Sequence, residues 1–395
     1  MLFSDFTWWS VLFVFITTHI TILTVTIYLH RCVAHRSLSV NKYLEHFFRF
    51  WVWLTTGQST QEWAAVHRKH HAFCEKEGDP HSPKIFGILN VLFKGLALYK
   101  REAKNPETVA KYGKFTPDDW IEHNIYRKHS FMGMVALGLF DVALFGFHGF
   151  WVLTLQLLWI PFWAAGVVNG IGHFKGYRNF NTEDDSRNIS PIGFIIGGEE
   201  LHNNHHAYPT SAKLSMQWYE FDMGWGWIRL FESIGLAKVN KQHSIPVFDR
   251  TKNEIDETSL QAFLSNKYFI LKMFISQSKK NVSVQIEKSK NESNLLKKYS
   301  VKNLKSYFYS AFASLKEEEQ KIVNQLLKNE KLKHIFEIKE NMLKIWNEKN
   351  LNYSQLLEKL THWQKETYQN GFPEMKEFAQ KIVWLKVNLP SNKLI

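Results

Sequence analysis

The stretch GGEELHNNHHAYP, residues 197–209, sets His202, His205 and His206 within five positions, and HRKHH repeats the H-x-x-H-H spacing at His67, His70 and His71. On a helix, positions i, i+3 and i+4 share one face, so each trio can aim its imidazoles at a common point. Two such faces can close a metal cage between them. Two more pairs offer ligands: His30 and His35 in HRCVAH, and Asn169 and His173 in VNGIGH. His30 and His35 stand five apart, about 140° around a regular helix. They must straddle the cage or use an unwound turn. One ion cannot use nine imidazoles, since zinc takes about four ligands and iron only a few more, so the set with Asn169 suggests two ions and a water or open position. Imidazole suits Zn, Cu, Fe and Ni alike, so ligand type does not choose the metal. The other histidines (His19, His46, His123, His129, His148, His243, His334 and His362) read as surface or core residues. Asp79 and His81 in DPHSP are candidates for contacts that fix a ligand's tautomer.

The elements that must carry these boxes are apolar. Residues 6–29 contain no Lys, Arg, Asp or Glu, enough to cross ~30 Å of hydrocarbon at ~1.5 Å per residue. The preceding MLFSD has an acid and no basic segment, and no small-residue cleavage site follows, so a retained anchor helix is expected rather than a signal peptide. Residues 43–58 carry Glu45, His46 and Arg49 and suit an amphipathic helix at the interface. Segments 131–150 and 151–173 read as two further spans, broken near Gly146–Gly149. The loop between, 61–130, is dense in Lys and Arg, which marks the cytoplasmic side. Three spans then put residues 30–130 and everything after 173 on one aqueous face, where the four boxes can meet.

Composition divides the chain. Residues 1–245 form the expected membrane-embedded domain with the histidine boxes, and 246–395 a basic cytosolic helical tail. The tail carries 26 Lys+Arg against 17 Asp+Glu, +9 of the formal +12. Its lysines mix with glutamates and bring no zinc-finger or RNP-type motif, so nucleic-acid binding is not expected. Anionic headgroups or an acidic electron carrier fit a membrane enzyme better. In the tail, 311–350 and 353–384 show apolar residues at helical spacing, whereas 276–300 reads as a linker. Two cysteines, Cys32 and Cys74, support neither a disulfide framework nor a four-thiolate cluster.

The stretches HRCVAHRS, EWAAVHRKHHAFCEKEGDPHSP, NGIGHFKGYRNF and GGEELHNNHHAYP together resemble the membrane-bound fatty acyl desaturases of the stearoyl-CoA (delta-9) type and its bacterial relatives, over about residues 28–240. The resemblance implies an all-α fold of multiple membrane spans under a cytosolic helical cap, with two Fe ions at the histidines. It implies an O2-dependent enzyme of unsaturated fatty acid biosynthesis that puts a cis double bond into a long saturated acyl chain. By position, one iron would take His30, His35, His67, His71 and His206. The other would take His70, His173, His202 and His205, with Asn169 acting through a water. An unactivated C–H bond lies beyond side-chain acid–base work, so a redox metal is needed. The acyl chain needs an apolar tunnel that excludes water, for which Trp51, Trp53, Trp63 and Trp159 are candidate walls, Trp63 and Trp53 foremost.

Three departures stand beside this. Animal-type members have four spans, while about 29 residues precede the first box here. Ala65 and Val66 occupy the positions of a charged pair that binds CoA, which makes a phospholipid-bound acyl chain an alternative to acyl-CoA. No fused cytochrome b5 His-Pro-Gly-Gly element occurs, so electrons are expected from a separate ferredoxin, flavoprotein or cytochrome. Likeness to bacterial relatives implies the inner membrane with a cytoplasmic active site. The competing readings are a di-iron alkyl or acyl hydroxylase and a metal-binding membrane protein.

Overall fold

The first apolar run folds as helix α1 (Trp8–Leu23) and continues without interruption as a π-helical segment, Thr24–Ala34. A computed structural model of the chain describes residues 8–243, 245–348 and 350–387. It is mostly helical and divides into two units, Met1–His243 and Ser244–Ile395.

In the first unit, α2 (Lys42–Thr56) starts where the Asn41 side chain accepts from the Leu44 N–H, and it ends at Gly57, whose φ of 59° closes the helix. It buries Leu44, Phe48, Arg49, Val52 and Thr55 and leaves Tyr43, Phe47 and Phe50 outward; Arg49, one of the polar residues behind the interfacial expectation, instead pairs inside with Asp119 and Glu122. Helix α3 (Thr60–Phe73), capped by Ser59, carries the second histidine box in its last two turns. Short α4 (Pro83–Phe86), α5 (Ile88–Ala103) and short α6 (Pro106–Tyr112) follow.

Helices α7 (Ser130–Phe145) and α8 (Gly149–Ile160) form an antiparallel hairpin that turns at Gly146–His148, within the predicted break. A Cβ on Gly149 would lie 2.4 Å from the Asp141 carbonyl oxygen, and one on Gly138 would lie 2.9 Å from Leu153. Helix α8 runs on into a second π-helical segment, Pro161–Ile171. The lengths Trp8–Ala34 and Ser130–Ile171 are apolar and long enough to cross a membrane. Six-residue α9 (His202–Ala207) holds the third box, and α10 (Met223–Ser233) completes the unit. Strand β1 (Leu38–Val40) pairs antiparallel with β4 (Ala237–Val239), and β2 (Ile192–Gly193) pairs parallel with β3 (Phe221–Asp222).

Arg31 locks the unit's last third onto its first helix. Fully buried, it donates from both Nη atoms to Asp222 (2.9 and 3.2 Å), and also to the carbonyls of Ala212 (2.9 Å) and Gly197 (3.0 Å). A buried pair of this kind holds only if its remaining hydrogen-bonding capacity is met. Here the two carbonyls occupy the remaining Nη donors, while Nε has no hydrogen-bond partner among the described residues.

The second unit is a helical assembly with its own core: α11 (Glu257–Ser265), α12 (Lys267–Glu292), α13 (Asn294–Lys297), α14 (Val301–Tyr309), α15 (Glu317–Leu326), α16 (Glu330–Asn347), α17 (Tyr353–Asn370) and α18 (Pro373–Val383). Pairing of β5 (Val247–Phe248) with β6 (Leu385–Lys386) brings its two ends together. The linker expected at 276–300 is instead helical, almost all of it in α12 and α13. Phe274, Ser278, Val282, Ile286 and Ser289 bury one stripe of α12 at intervals of three and four, enough to seat a helix whose other positions over 276–292 are mostly Lys, Asn, Ser, Gln and Glu.

Close backbone approach fixes the helix contacts of the first unit. A Cβ on Gly133 would stand 2.2 Å from the Trp53 carbonyl oxygen, and one on Gly95 would stand 2.3 Å from that of Ala165. Gly133→Val and Gly95→Val are therefore expected to lower stability by about 1–3 kcal/mol, the usual range for overpacking. Gly226→Ala, where a Cβ meets nothing within 4 Å, serves as control. Thermal unfolding in detergent reads the difference, and equal midpoints for Gly133→Val and Gly226→Ala would contradict these contacts.

Candidate metal centre

The π-helical turn answers the spacing problem of the first box. The His35 N–H donates to the His30 carbonyl at 3.0 Å, an i→i+5 bond that unwinds the turn and brings two imidazoles five apart to the same place. Their rings then lie 4.8 Å apart. The last two turns of α3 add His67 and His71, and α9 adds His205. Nε2 of His30 and His205 are 3.1 Å apart, those of His35 and His67 2.8 Å, His71 and His67 3.1 Å, and His205 and His71 2.9 Å. Ligand-capable atoms of all five lie within 4.8 Å of one another.

Beside them a second group converges: His70, Cys74, His173 and His206 within the same limit, with His202 Nε2 3.0 Å from His173 Nε2. The His71 and His206 rings, one from each group, are 4.6 Å apart. All nine predicted histidines therefore gather in two adjacent nests. The division between them differs from the one implied by the resemblance. His205 joins His30, His35, His67 and His71, while His206 joins His70 and His173. The two are neighbours on one short helix, and about 100° of rotation sends them to opposite sides.

The nests fit metal ions. Five Nε2 atoms in mutual contact cannot satisfy one another, because a neutral imidazole offers each nitrogen as donor or acceptor but not both. A cation at their centre can use every lone pair. Nitrogens at right angles about an ion ~2.1 Å away stand about 3.0 Å apart, and at tetrahedral angles about 3.4 Å. The observed 2.8–3.1 Å matches the wider coordination shell.

Carboxylates behind the rings set the tautomers. Glu199 Oε1 lies 2.9 Å from His30 Nδ1, Asp79 Oδ1 3.0 Å from His70 Nδ1, Glu75 Oε1 3.1 Å from His173 Nδ1, and Asp184 Oδ2 3.1 Å from His206 Nδ1. Asp79, Glu75 and Asp184 can accept Nδ1–H and leave the Nε2 lone pair facing inward, and Glu199 stands against His30 as an ion-pair partner. Burial alone would raise all four carboxyls, yet the facing imidazoles hold each of them below its ordinary value. For Glu199, Arg31 and a hydrogen bond from Thr26 add to this. Asp79 thus takes the role foreseen for it and also accepts the backbone N–H groups of Glu75 (2.7 Å) and His81 (3.1 Å). His81 stacks on His70 with ring centroids 4.5 Å apart. Glu75, Asp184 and Glu199 had no such role in the sequence reading. Burial and three nearby carboxylates push the Cys74 thiol far up.

A cavity opens onto this cage. Val25, Ile160, Ala164, Ala165 and Val168 give it an apolar wall, and His30, His67, His202 and Asn169 face it at the cage end. Trp63 lines it, stacked on His67 at 5.0 Å. Trp53 does not. Its indole donates to the His129 carbonyl and packs on Tyr126. Trp51 bonds Thr21 instead, and Trp159 also lies outside the lining.

The family model described as fatty acid desaturase matches residues 6–231. The chain is 34% identical over 216 residues to the sn-1 stearoyl-lipid 9-desaturase of Synechocystis sp., covering 54% of this chain and 66% of that protein. It is 32% identical over 247 residues to Delta-9 acyl-lipid desaturase 1 of Arabidopsis thaliana, with 59% and 75% covered. It is 30% identical over 227 residues to the palmitoyl-monogalactosyldiacylglycerol delta-7 desaturase of the same plant, with 55% and 57% covered. None of these matches extends over the whole chain.

Two tests follow. Asp79→Asn and Asp184→Asn are expected to weaken metal binding about 10- to 100-fold. Metal titration reads it, and parental affinity in both variants would remove the carboxylates from this role. The second test is acid. Burial first, then neighbouring imidazoles, hold His35, His67, His71, His202 and His205 well below the ordinary imidazole value, and burial takes His173 down to about 4. Above about pH 6.5 these groups are neutral in both folded and unfolded chains. Below that the unfolded chain binds more protons, so stability falls as pH falls, until the folded groups also protonate. The unfolding midpoint is expected to drop, and metal to be released, between pH 7 and about 4. A midpoint constant from pH 7 to 5 would sink this account.

Proposed function

We propose that this chain, which belongs to the fatty acid desaturase family, inserts a cis double bond, at the delta-9 position, into a long saturated acyl chain carried by a membrane lipid. The observation that carries the reading is the apolar cavity ending on nine converging imidazoles. Two iron ions held there would supply, with O2 and two electrons, the oxidising power to remove two hydrogens from adjacent methylenes. His30, His35, His67, His71 and His205 would hold one ion. His70, His173, His202 and His206 would hold the other, with Asn169 reaching it through a water.

The protein's own part is binding, orientation and exclusion of water. Val25, Ile160 and Val168 offer the acyl chain a dry surface, and Trp63 fixes its approach beside His67. Nδ1–H bonds to the carboxylates keep the imidazoles from turning as charge changes at the site.

Lipid-linked substrate is favoured over acyl-CoA by two observations. Ala65 and Val66, where a CoA-binding charged pair would stand, are 0% and 2% exposed, so neither offers a surface to a nucleotide. The relatives from Synechocystis and Arabidopsis are named for lipid-linked acyl chains. The same reading gives a multi-pass protein of the bacterial inner membrane, three spans with the cage on the cytoplasmic face, reduced by a separate ferredoxin, flavoprotein or cytochrome.

Expression in a host lacking delta-9 products, with phospholipid and acyl-CoA pools separated before fatty-acid analysis, is the test. The expected result is a new cis monoene appearing first in the lipid pool. A hydroxylated acyl chain would instead establish a hydroxylase. His71→Ala and His205→Ala are expected to abolish the product and lower bound iron, while His129→Ala, on an exposed side chain, changes neither. Full activity in the first two would overturn the assignment of the cage.

A further inference from the structure

The positive charge of the second unit is not spread over it. Residues 267–305 hold ten lysines and two acidic residues, +8 of the unit's +9, whereas its other segments are nearly balanced. Lys272, Lys279 and Lys290 stand seven and eleven positions apart on α12, two and three turns, and so share one side of the helix. The core takes another side through Phe274, Ser278 and Val282. Helix α18 takes a third, where Asn281 donates to Glu374 (2.9 Å) and Gln277 to Glu377 (3.4 Å). Lys305 of α14 donates to Ser283 at 3.3 Å, which sets α14 beside α12 and adds Lys302 to the same region. The acids on the segment itself are Glu287 and Glu292, both exposed. Among the described residues, no lysine from 272 to 305 enters an ion pair. Lys272, Lys279, Lys280 and Lys288 are exposed.

Lysines left unpaired in a row repel one another, and a folded unit keeps such a field where something negative meets it. Large exposed apolar side chains are nearly absent: Val284 and Leu295 stand out at 44% and 39%. A helix that lies in a bilayer carries an apolar face beside its lysines, and a permanent partner needs an aromatic or aliphatic anchor. This surface has charge without an anchor. Such a surface suits brief, steered encounters with a soluble protein of opposite sign.

We propose that the α12–α14 lysine face captures the acidic one-electron carrier protein that reduces the metal site. The proposal rests on the desaturase reading, which needs two electrons per double bond from an outside donor. The face raises the rate of encounter; it is not itself the point of electron entry.

The test uses the full chain in nanodiscs of neutral lipid and two probes, an acidic plant-type ferredoxin and a soluble cytochrome b5. Parent and the triple variant Lys272→Glu/Lys279→Glu/Lys290→Glu are compared for binding by interferometry across ionic strength. The parent is expected to bind one or both carriers at low salt and to weaken steeply as salt rises. The variant should bind at least about tenfold more weakly with a flattened salt response, at an unchanged thermal midpoint. With the carrier that supports turnover, KM should rise by a similar factor while the rate at saturating carrier stays parental. Equal binding by parent and variant, or no salt-sensitive binding to either carrier, would overturn the proposal. So would a loss that appears only with anionic nanodiscs, which would assign the face to lipid headgroups. Product formation by the parent under a chemical reductant tests the desaturase reading separately, so failure of one is not mistaken for failure of the other.

Discussion

Nine imidazoles buried together must each keep a lone pair pointed inward, and most of this unit's architecture answers that demand. Protonated, they would repel one another; left free to turn, they would present N–H groups to each other. Burial keeps six of them neutral, and carboxylates anchor His30, His70, His173 and His206 from behind. Those four carboxylates carry four negative charges into the interior. Such a cluster is costly unless matched, and two divalent cations in the nests would match it. Lys84, 2.6 Å from Glu75, and Arg31, 3.9 Å from Glu199, temper the excess at the edges. Ions held there would be part of what lets this core be both polar and closed.

The boxes are brought together by irregular helix. Both long apolar lengths end in π-helical turns, Thr24–Ala34 and Pro161–Ile171, and these carry His30 and Asn169. A regular α-helix would splay His30 from His35. The wider turn converges them, and Arg31, one residue from His30, ties the same turn to Asp222 and Gly197. Backbone irregularity here is held by a buried guanidinium whose two Nη groups are both bonded. Replacing Arg31 would therefore act on His30 without touching any metal ligand directly.

Spacing within a short segment was legible, because i, i+3, i+4 fixes a face before any tertiary structure exists. The shared face of each H-x-x-H-H trio followed from that logic, whereas the all-α fold came with the family resemblance and the break at 146–149 from the glycines between two apolar runs. The partition of His205 and His206 was not legible, since it depends on how α9 is rotated against α3, which no local pattern encodes. The anchors were hidden for a related reason. Glu75 reaches His173 across 98 positions, and Glu199 reaches back to His30 from a turn beside the third box. Each looks in sequence like a solvated acid. Trp53 misled because nearness to a box in the chain is not nearness to the cavity. The 276–300 segment misled because small Ser278 and Ser289 stand where a helix stripe usually shows leucine.

The two π-helical turns have a second consequence. Besides His30 and Asn169, they supply much of the apolar side of the cavity, Val25 and Thr26 from one and Ala164, Ala165 and Val168 from the other. The distance from wall to cage is then set by a few backbone turns rather than by mobile loops. A methylene resting on Val168 has its place relative to the histidines fixed by residues only five positions from His173. Precision of this kind suits a reaction whose two target hydrogens sit on adjacent carbons of a featureless chain. The substrate offers no polar group near the reacting bond by which it could be oriented, so the measure must come from the protein. It follows that substitutions on these turns should disturb cage and substrate register together. Changes in preferred chain length should instead come from the far end of the cavity, away from both turns.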